Sequence, residues 1–304
     1  MNASSLLPPL LALLLSPLLP GVINRTKSFF GGRRGPPLLQ GYRDIAKLLR
    51  KGAVYSRTTT WVFRAGPVAG LACLLAALLL TPLGHVPAPL SFGGDLILLI
   101  YLLGLGRFVT MVAALDTGSA FEGMGASREA QFAVFAEPAL LIGLAALTHY
   151  TGVGWSLSAV YAALSPADWV THLPMLALLA AAMTIVLLAE NSRIPVDDPN
   201  THLELTMIHE VMVLDHGGVD FGFILYGAGL KLWITGSLIV GLLFPFDTGQ
   251  PALDAAVGVG GLLLLAVAVG VIESVMARLR LLRVPQLLVG AGALSVLVLL
   301  LSSW

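Results

Sequence analysis

Charge is what this chain lacks most. Asp, Glu, Lys and Arg make up 11% of its 304 residues, against about 25% in an ordinary soluble domain. That shortfall excludes a water-soluble globule. With a mean hydropathy of +0.89 it points to an all-α polytopic membrane protein. An excess of either sign is lacking too: 17 basic and 17 acidic side chains cancel, so nothing favours a nucleic-acid partner. Cysteine is almost absent. Cys73 alone cannot form a disulfide within the chain and supplies no thiolate set for iron–sulfur or structural zinc. It lies in an apolar run and reads as a small packed or lipid-facing residue. The N-terminal run MNASSLLPPLLALLLSPLLPG has no basic residue before it; Arg25 and Lys27 follow it. That suits a retained first helix with its N-terminus outside. No internal repeat is visible, so nothing supports an inverted-repeat transporter.

Long apolar runs are what the sequence has. A crossing takes about 20 residues, and eight spans are predicted, at about 4–23, 65–84, 94–115, 130–150, 172–190, 221–243, 255–275 and 285–303. With both termini outside, the cytoplasmic loops of this single membrane domain (1–304) are about 24–64, 116–129, 191–220 and 276–284. Of the 17 basic residues, all but Arg107 and Lys231 fall in those loops, and the outer loops hold none. That is the asymmetry of the positive-inside rule. The partner is therefore expected on the cytoplasmic face.

The first cytoplasmic loop opens with a Gly35-Pro36-Pro37 breaker. Then Ile45, Leu48 and Leu49 recur at helical spacing among Arg43, Asp44, Lys47, Arg50 and Lys51. The pattern predicts an amphipathic interfacial helix. One reading is a lipid-headgroup anchor, worth about 1 kcal/mol per basic residue. The other is a docking collar for a cytoplasmic subunit, and the two are compatible.

Ionisable residues within or at the ends of spans cost about 2.5–3.5 kcal/mol each to insert, so each needs a reason. They are Asp95, Arg107, Asp116, Glu122, Glu129, Glu137, Glu190, Lys231 and Glu273. Asp95 reads as interfacial. Glu137 is deep in span four, followed by Pro138, which frees backbone carbonyls. Desolvation at that depth favours the neutral acid, so Glu137 could hold and release a proton. It could equally be a structural partner of Arg107 or Lys231. Glu129 could be part of a solvated helix start. Together with Asp116, Glu122, Glu190 and Glu273 these groups could form a file of carboxyls to mid-membrane.

The stretch AENSRIPVDDPNTHLELTMIHE (189–210) concentrates charge that the rest of the chain avoids. Pro195 and Pro199 break any continuous helix, and a new helix is expected over 201–216. His202, His209 and His216 recur every seven residues, which misses two full turns by only about 20°. All three would then share one face. Such a stripe could relay protons or simply face water. Heptad spacing puts the rings about 10 Å apart, too far for neighbouring metal ligands, so no metal site is expected.

At these residues the chain resembles the eight-span membrane subunit shared by respiratory complex I, where it is known as subunit 1, and membrane-bound group 4 [NiFe]-hydrogenases. The hydrogenase-4 component C and formate hydrogenlyase subunit 4 branch is the nearest in pattern. The carriers are NRTKSFFGGRRGPPLLQGYRDIAKLL at 24–49, LDTGSAFEGMGASREA at 115–130, AEPALL at 136–141, the 189–210 stretch and ESVMARLRLLRVP at 273–285. The quinone-reducing branch carries closely spaced glutamates after its arginine-proline unit; here Asn200 and His202 stand in that place, and Glu204 is kept.

The resemblance implies a non-redox subunit of the cytoplasmic (inner) membrane. It would join a [NiFe] large subunit and a small iron–sulfur subunit to antiporter-like membrane subunits. Cofactors would lie in those partners and none in this chain. It implies a proton path through Glu129, Glu137, Glu190, Asp197 and Glu204, to which Lys231, Asp116, Glu122 and Glu273 are candidate additions. Arg33, Arg34, Tyr42, Asp44, Lys47 and Arg193 are candidates for docking the cytoplasmic arm. Two other functions stay open: the quinone-site subunit of a NADH:quinone oxidoreductase, and a stand-alone secondary ion transporter.

Overall fold

The structure, a computed structural model, describes residues 3–198 and 207–303. Among these there is no strand; helices account for all the regular structure. Seven are long and apolar enough to cross a bilayer: α4 (Trp61–Leu78), α5 (Asp95–Asp116), α6 (Ala120–Thr151), α9 (Leu173–Glu190), α10 (Gly218–Leu243), α11 (Pro251–Val275) and α12 (Val284–Leu301). The remaining helices are α1 (Leu7–Leu15), α2 (Leu18–Phe30), α3 (Gln40–Leu48), α7 (Leu157–Ala163) and α8 (Pro166–Thr171).

The first predicted span is not one straight helix. α1 and α2 meet at a 52° bend, and the chain has eight spans only if the bent pair is counted as one. Pro17 explains the break, because it has no N–H to give to the carbonyl of Leu13 and its ring crowds that turn. The freed carbonyls find other donors: Tyr226 Oη donates to Leu13 O at 2.8 Å and Tyr42 Oη to Leu14 O at 2.5 Å. A buried carbonyl in lipid needs such a partner. Tyr42 belongs to the amphipathic α3, so this candidate docking residue ties α3 to the break instead of offering its hydroxyl to a partner.

α6 also departs from expectation. It begins at Ala120 and runs for 32 residues, about 48 Å at 1.5 Å per residue, which exceeds a hydrocarbon core of about 30 Å. The 116–129 loop is thus mostly helix. AFEGMGASREAQF contains no proline and is rich in helix formers, so nothing ends the helix before the span begins. Glu122, Glu129 and Glu137 consequently lie on one element.

α4 packs against α5, α2 against α11, and α6 against both α9 and α12. α10 is the innermost span, with 67% of its apolar window buried, and it contributes Leu230, Trp233, Ile234 and Leu238 to the core. Asp95, at the start of α5, is buried against the protein: its carboxylate accepts from Leu157 N at 2.7 Å and Ser156 Oγ at 3.0 Å, holding the start of α7. Asp116 is likewise a cap. It accepts from Thr60 N, Thr60 Oγ1 and Phe63 N at 2.7, 2.8 and 3.2 Å, which ties up its oxygens on the first turn of α4.

Candidate functional site

Arg107 of α5 is buried in the middle of the bundle, where an unpaired guanidinium would be very costly. Three carboxylates surround it. Glu129 Oε1 lies 3.1 Å from Nε and Glu137 Oε1 2.7 Å from Nη1, both from α6; Glu190, at the end of α9, bonds Nη2. Lys231 of α10 reaches the other oxygen of Glu190 at 2.8 Å. Four spans therefore converge on one knot of charge.

The knot continues outward through His209. Its Nε2 is 3.0 Å from Glu129 Oε2 and its Nδ1 is 3.5 Å from Asp197 Oδ2. Asp197 Oδ1 in turn accepts from Arg278 Nη2 at 2.9 Å. The result is a file of alternating sign: Arg278, Asp197, His209, Glu129, Arg107, then Glu190 and Lys231, with Glu137 on a branch. Four carboxylates face the basic side chains of Arg278, Arg107 and Lys231, and a protonated His209 would make the numbers of acidic and basic groups equal. Burial alone would lower the His209 pKa, but the Glu129 and Asp197 carboxylates outweigh it and push it up to about 9. Burial opposes ionisation of Asp197 as well, yet His209 and Arg278 hold its carboxyl below the usual range.

The described part of the helix expected over 201–216, residues 207–216, is not an α-helix. Within the described part, residues 207–216 hold only a 3₁₀ turn, Glu210–Val213. The backbone N–H groups of Ile208 and His209 donate to Asp197 Oδ2 at 3.3 and 3.2 Å. A carboxylate eleven and twelve residues back has displaced the helical carbonyls as acceptor. His209 and His216 therefore take different surroundings. His209 enters the file, while His216 stacks on Phe63 with ring centroids 3.9 Å apart and planes 5° apart. His202 and Glu204 lie outside the described residues.

Gly125 explains how 207–213 comes so close. A Cβ there would lie 2.4 Å from Val211 Cγ1 and 2.9 Å from Ile208 O. Only a bare backbone on α6 admits the segment, one turn before Glu129.

The other candidates are distributed as follows. Glu273 is fully buried and pairs with Lys27 at 2.8 Å and Arg193 at 3.6 Å, joining α11, α2 and the 191–197 loop. Arg193 is turned inward onto that carboxylate because an uncompensated buried Glu273 would be worse, so it is not an exposed docking group. Glu122 accepts from Asp215 N at 3.1 Å. Arg33, Arg34 and Lys47 are exposed, and Asp44 accepts from Gln40 Nε2 at 2.8 Å. Sequence reasoning missed Arg107 as the hub and Arg278 as the outer cation. The cost of an arginine inside an apolar span was the available sign for the first.

A cavity of about 150 Å³ opens beside the knot, with Gly70, Gly106, Arg107, Glu129, His209 and Lys231 in its wall. No group of three or more His, Cys, Asp or Glu among the described residues is arranged to hold a metal ion. The chemistry available is proton transfer. An imidazole between two carboxylates can accept a proton at one nitrogen and release one from the other.

Fold and site together define a multi-pass membrane protein with a buried, charge-alternating file running from a loop to its centre. Within that class, the NADH dehydrogenase family profile matches residues 5–303, and the chain belongs to that family. It is 33% identical over 292 residues to formate hydrogenlyase subunit 4 of Escherichia coli (strain K12), covering 91% of this chain and 92% of that one. It is 34% identical over 250 residues to hydrogenase-4 component C of the same organism, covering 78% and 74%. In fold it is similar to a chain of the membrane-bound sulfane sulfur reductase, an archaeal respiratory membrane complex. The TM-score is 0.83 at 20% identity, with 98% of each chain covered.

Proposed function

We propose that this chain is the membrane-anchoring, proton-path subunit of a complex I-like membrane-bound [NiFe]-hydrogenase of the hydrogenase-4 or formate hydrogenlyase type. Its relatives over most of the chain carry those names. The observation that carries the reading is His209 held between Glu129 and Asp197. It links a loop that a cytoplasmic arm can reach to the Arg107 knot in the membrane. An electrical or conformational event near Asp197 and Arg278 would shift the His209 proton, and the knot would answer by redistributing charge among Glu129, Glu137, Glu190 and Lys231. In this reading both termini lie outside the cytoplasmic membrane. The exposed Arg33, Arg34 and Lys47 meet the arm, and the [NiFe] and iron–sulfur centres sit in partner chains beside antiporter-like membrane subunits.

One observation favours a second reading, a quinone-site subunit: a cavity lined largely by apolar residues also reaches Arg107 and His209. Its volume of about 150 Å³ is below the roughly 300–1,000 Å³ of typical ligand pockets. Affinity purification with identification of the co-purifying chains separates the two. A [NiFe] large subunit is the expected companion, and flavin- and NADH-binding chains would overturn the hydrogenase assignment. Glu129→Gln in that complex should abolish coupled proton movement; wild-type movement would refute the path.

A further inference from the structure

A second set of buried ionisable groups comes from α6, α10 and the residues just before α10. Glu122, Asp220 and His216 are 1%, 7% and 8% exposed. Each keeps one buried atom without a hydrogen-bond partner among the described residues: Glu122 Oε2, Asp220 Oδ2 and His216 Nδ1. Unpartnered polar atoms are costly when buried, by about 1–3 kcal/mol each, and ask for a function; Asp220 is near enough to His216 to act on its charge, and Glu122 is tied to the residue before His216 by the Asp215 N–H. The three are chemically alike: two carboxylate oxygens and an imidazole nitrogen, all able to accept a proton.

The surroundings supply access and direction. A cavity of about 220 Å³ is lined by Val54, Ser56, Thr59, Phe63 and the exposed Asp215. Phe63 is the residue on which His216 stacks, and Asp215 gives its N–H to Glu122. The charged or titratable groups around His216 are Tyr55, whose pKa the Asp220 carboxylate raises, and Arg64, stacked over Tyr55 at 4.4 Å. Asp116 lies behind Phe63, with Glu122 on α6 and Asp215 and Asp220 on its own segment. Burial lowers the His216 pKa, with Asp220 and Asp215 pulling the other way. Glu122 and Glu129 are seven residues apart on α6. They therefore share a face, within about 20°, and stand about 10.5 Å apart along the axis.

We infer that Glu122, His216 and Asp220 form the proton-uptake site of the path, loaded from cytoplasmic solvent through the cavity beside Phe63 and discharging along α6 toward Glu129 and His209. A proton taken by a neutral His216 or an ionised carboxylate is passed on as a proton, so no redox partner is needed. The inference rests on the proton-path reading above, and the test separates the two.

The intact complex is assayed in inverted membrane vesicles, with proton movement read by a pH-sensitive dye during turnover. In the double variant Glu122→Gln/Asp220→Asn, assembled on a native gel, the initial rate should fall about a hundredfold, the low end for a positioned proton-transfer group. Added imidazole should restore much of it, because a diffusible proton carrier replaces an uptake site but not an interior one. His216→Phe keeps the stack on Phe63 and should show the same loss and rescue; it decides the matter if the double variant does not assemble. Wild-type rates in these variants while Glu129→Gln is inactive would overturn the uptake site alone, as would a loss that imidazole does not restore. Wild-type rates in Glu129→Gln as well would overturn the path itself.

Discussion

Gly125 gives the sharpest handle on the site, because a single methyl group there acts on His209 without touching any ionisable residue. In Gly125→Ala the new Cβ meets Val211 Cγ1 at 2.4 Å, Met212 Cγ at 2.9 Å and Ile208 O at 2.9 Å, where ordinary contact begins near 3.4 Å. Val211 and Met212 can rotate. The backbone oxygen of Ile208 cannot, so residue 208 must retreat by about 0.5 Å and His209 with it. The Nε2 to Glu129 distance of 3.0 Å then opens toward the limit of a hydrogen bond. Asp197 follows the segment, since it holds the N–H groups of both residues, so the break falls between His209 and Glu129. Overpacking of this kind costs about 1–3 kcal/mol. If that cost lands on the His209–Glu129 link, coupled proton movement falls by about 5- to 150-fold. The assay is dye-monitored proton movement across a pH series. The variant should lose rate and also shift its alkaline limb toward the ordinary histidine range, because Glu129 no longer holds the imidazolium. An unchanged rate with an unchanged alkaline limb would refute the view that Gly125 places His209.

Three further outcomes follow from the same geometry. The His209 pKa is raised to about 9 from about 6.5, so its stabilisation of the 207–213 segment is complete below pH 6.5 and is lost as pH rises through 9. Limited proteolysis of the assembled complex should show that loss, and His209→Gln should flatten the profile. Arg107→Met leaves Glu129, Glu137 and Glu190 without their shared cation, which costs about 3–5 kcal/mol by the measure of a broken buried pair. It should lower the melting temperature or abolish assembly on a native gel, with Arg107→Lys intermediate. Glu273→Gln leaves Lys27 and Arg193 facing each other without an anion. It should loosen the 191–197 loop and weaken retention of the cytoplasmic arm during purification, while proton movement in complexes that stay intact is kept.

The spans were legible because insertion into lipid is decided locally, by runs of about 20 apolar residues. Glu129, Glu137, Glu190 and Lys231 stood out for the same reason, since a charge in such a run is an expense that needs explaining; Asp197 came from the family resemblance. The Glu137–Arg107 pair was one of the alternatives the sequence offered, and it forms; the rest of the pairing stayed hidden. The sequence of α5 shows that Arg107 is costly, but not that α6 and α9 bring three carboxylates to it, because those contacts join residues 22, 30 and 83 positions apart. The seven-residue histidine spacing predicted a helix from local periodicity alone, and Asp197 and Gly125 overrode it from outside the window. Pro17 sits in plain view, yet the apolar run around it reads as one span, since hydropathy counts side chains and not missing N–H groups.

The histidine at 209 can be understood from the charge balance of the file it completes. Three basic side chains, Arg107, Lys231 and Arg278, face four carboxylates. A fifth carboxylate in place of His209 would leave two uncompensated negative charges in a buried file, and one or more would have to stay protonated. A permanent cation would restore neutrality but could not let a proton go. Histidine is the side chain that satisfies both demands. Protonated, it brings the file to neutrality; neutral, it leaves a single excess negative charge that the knot can share between Glu129 and Glu190. The difference between those two states is one proton on a ring that Glu129 and Asp197 flank at 3.0 and 3.5 Å.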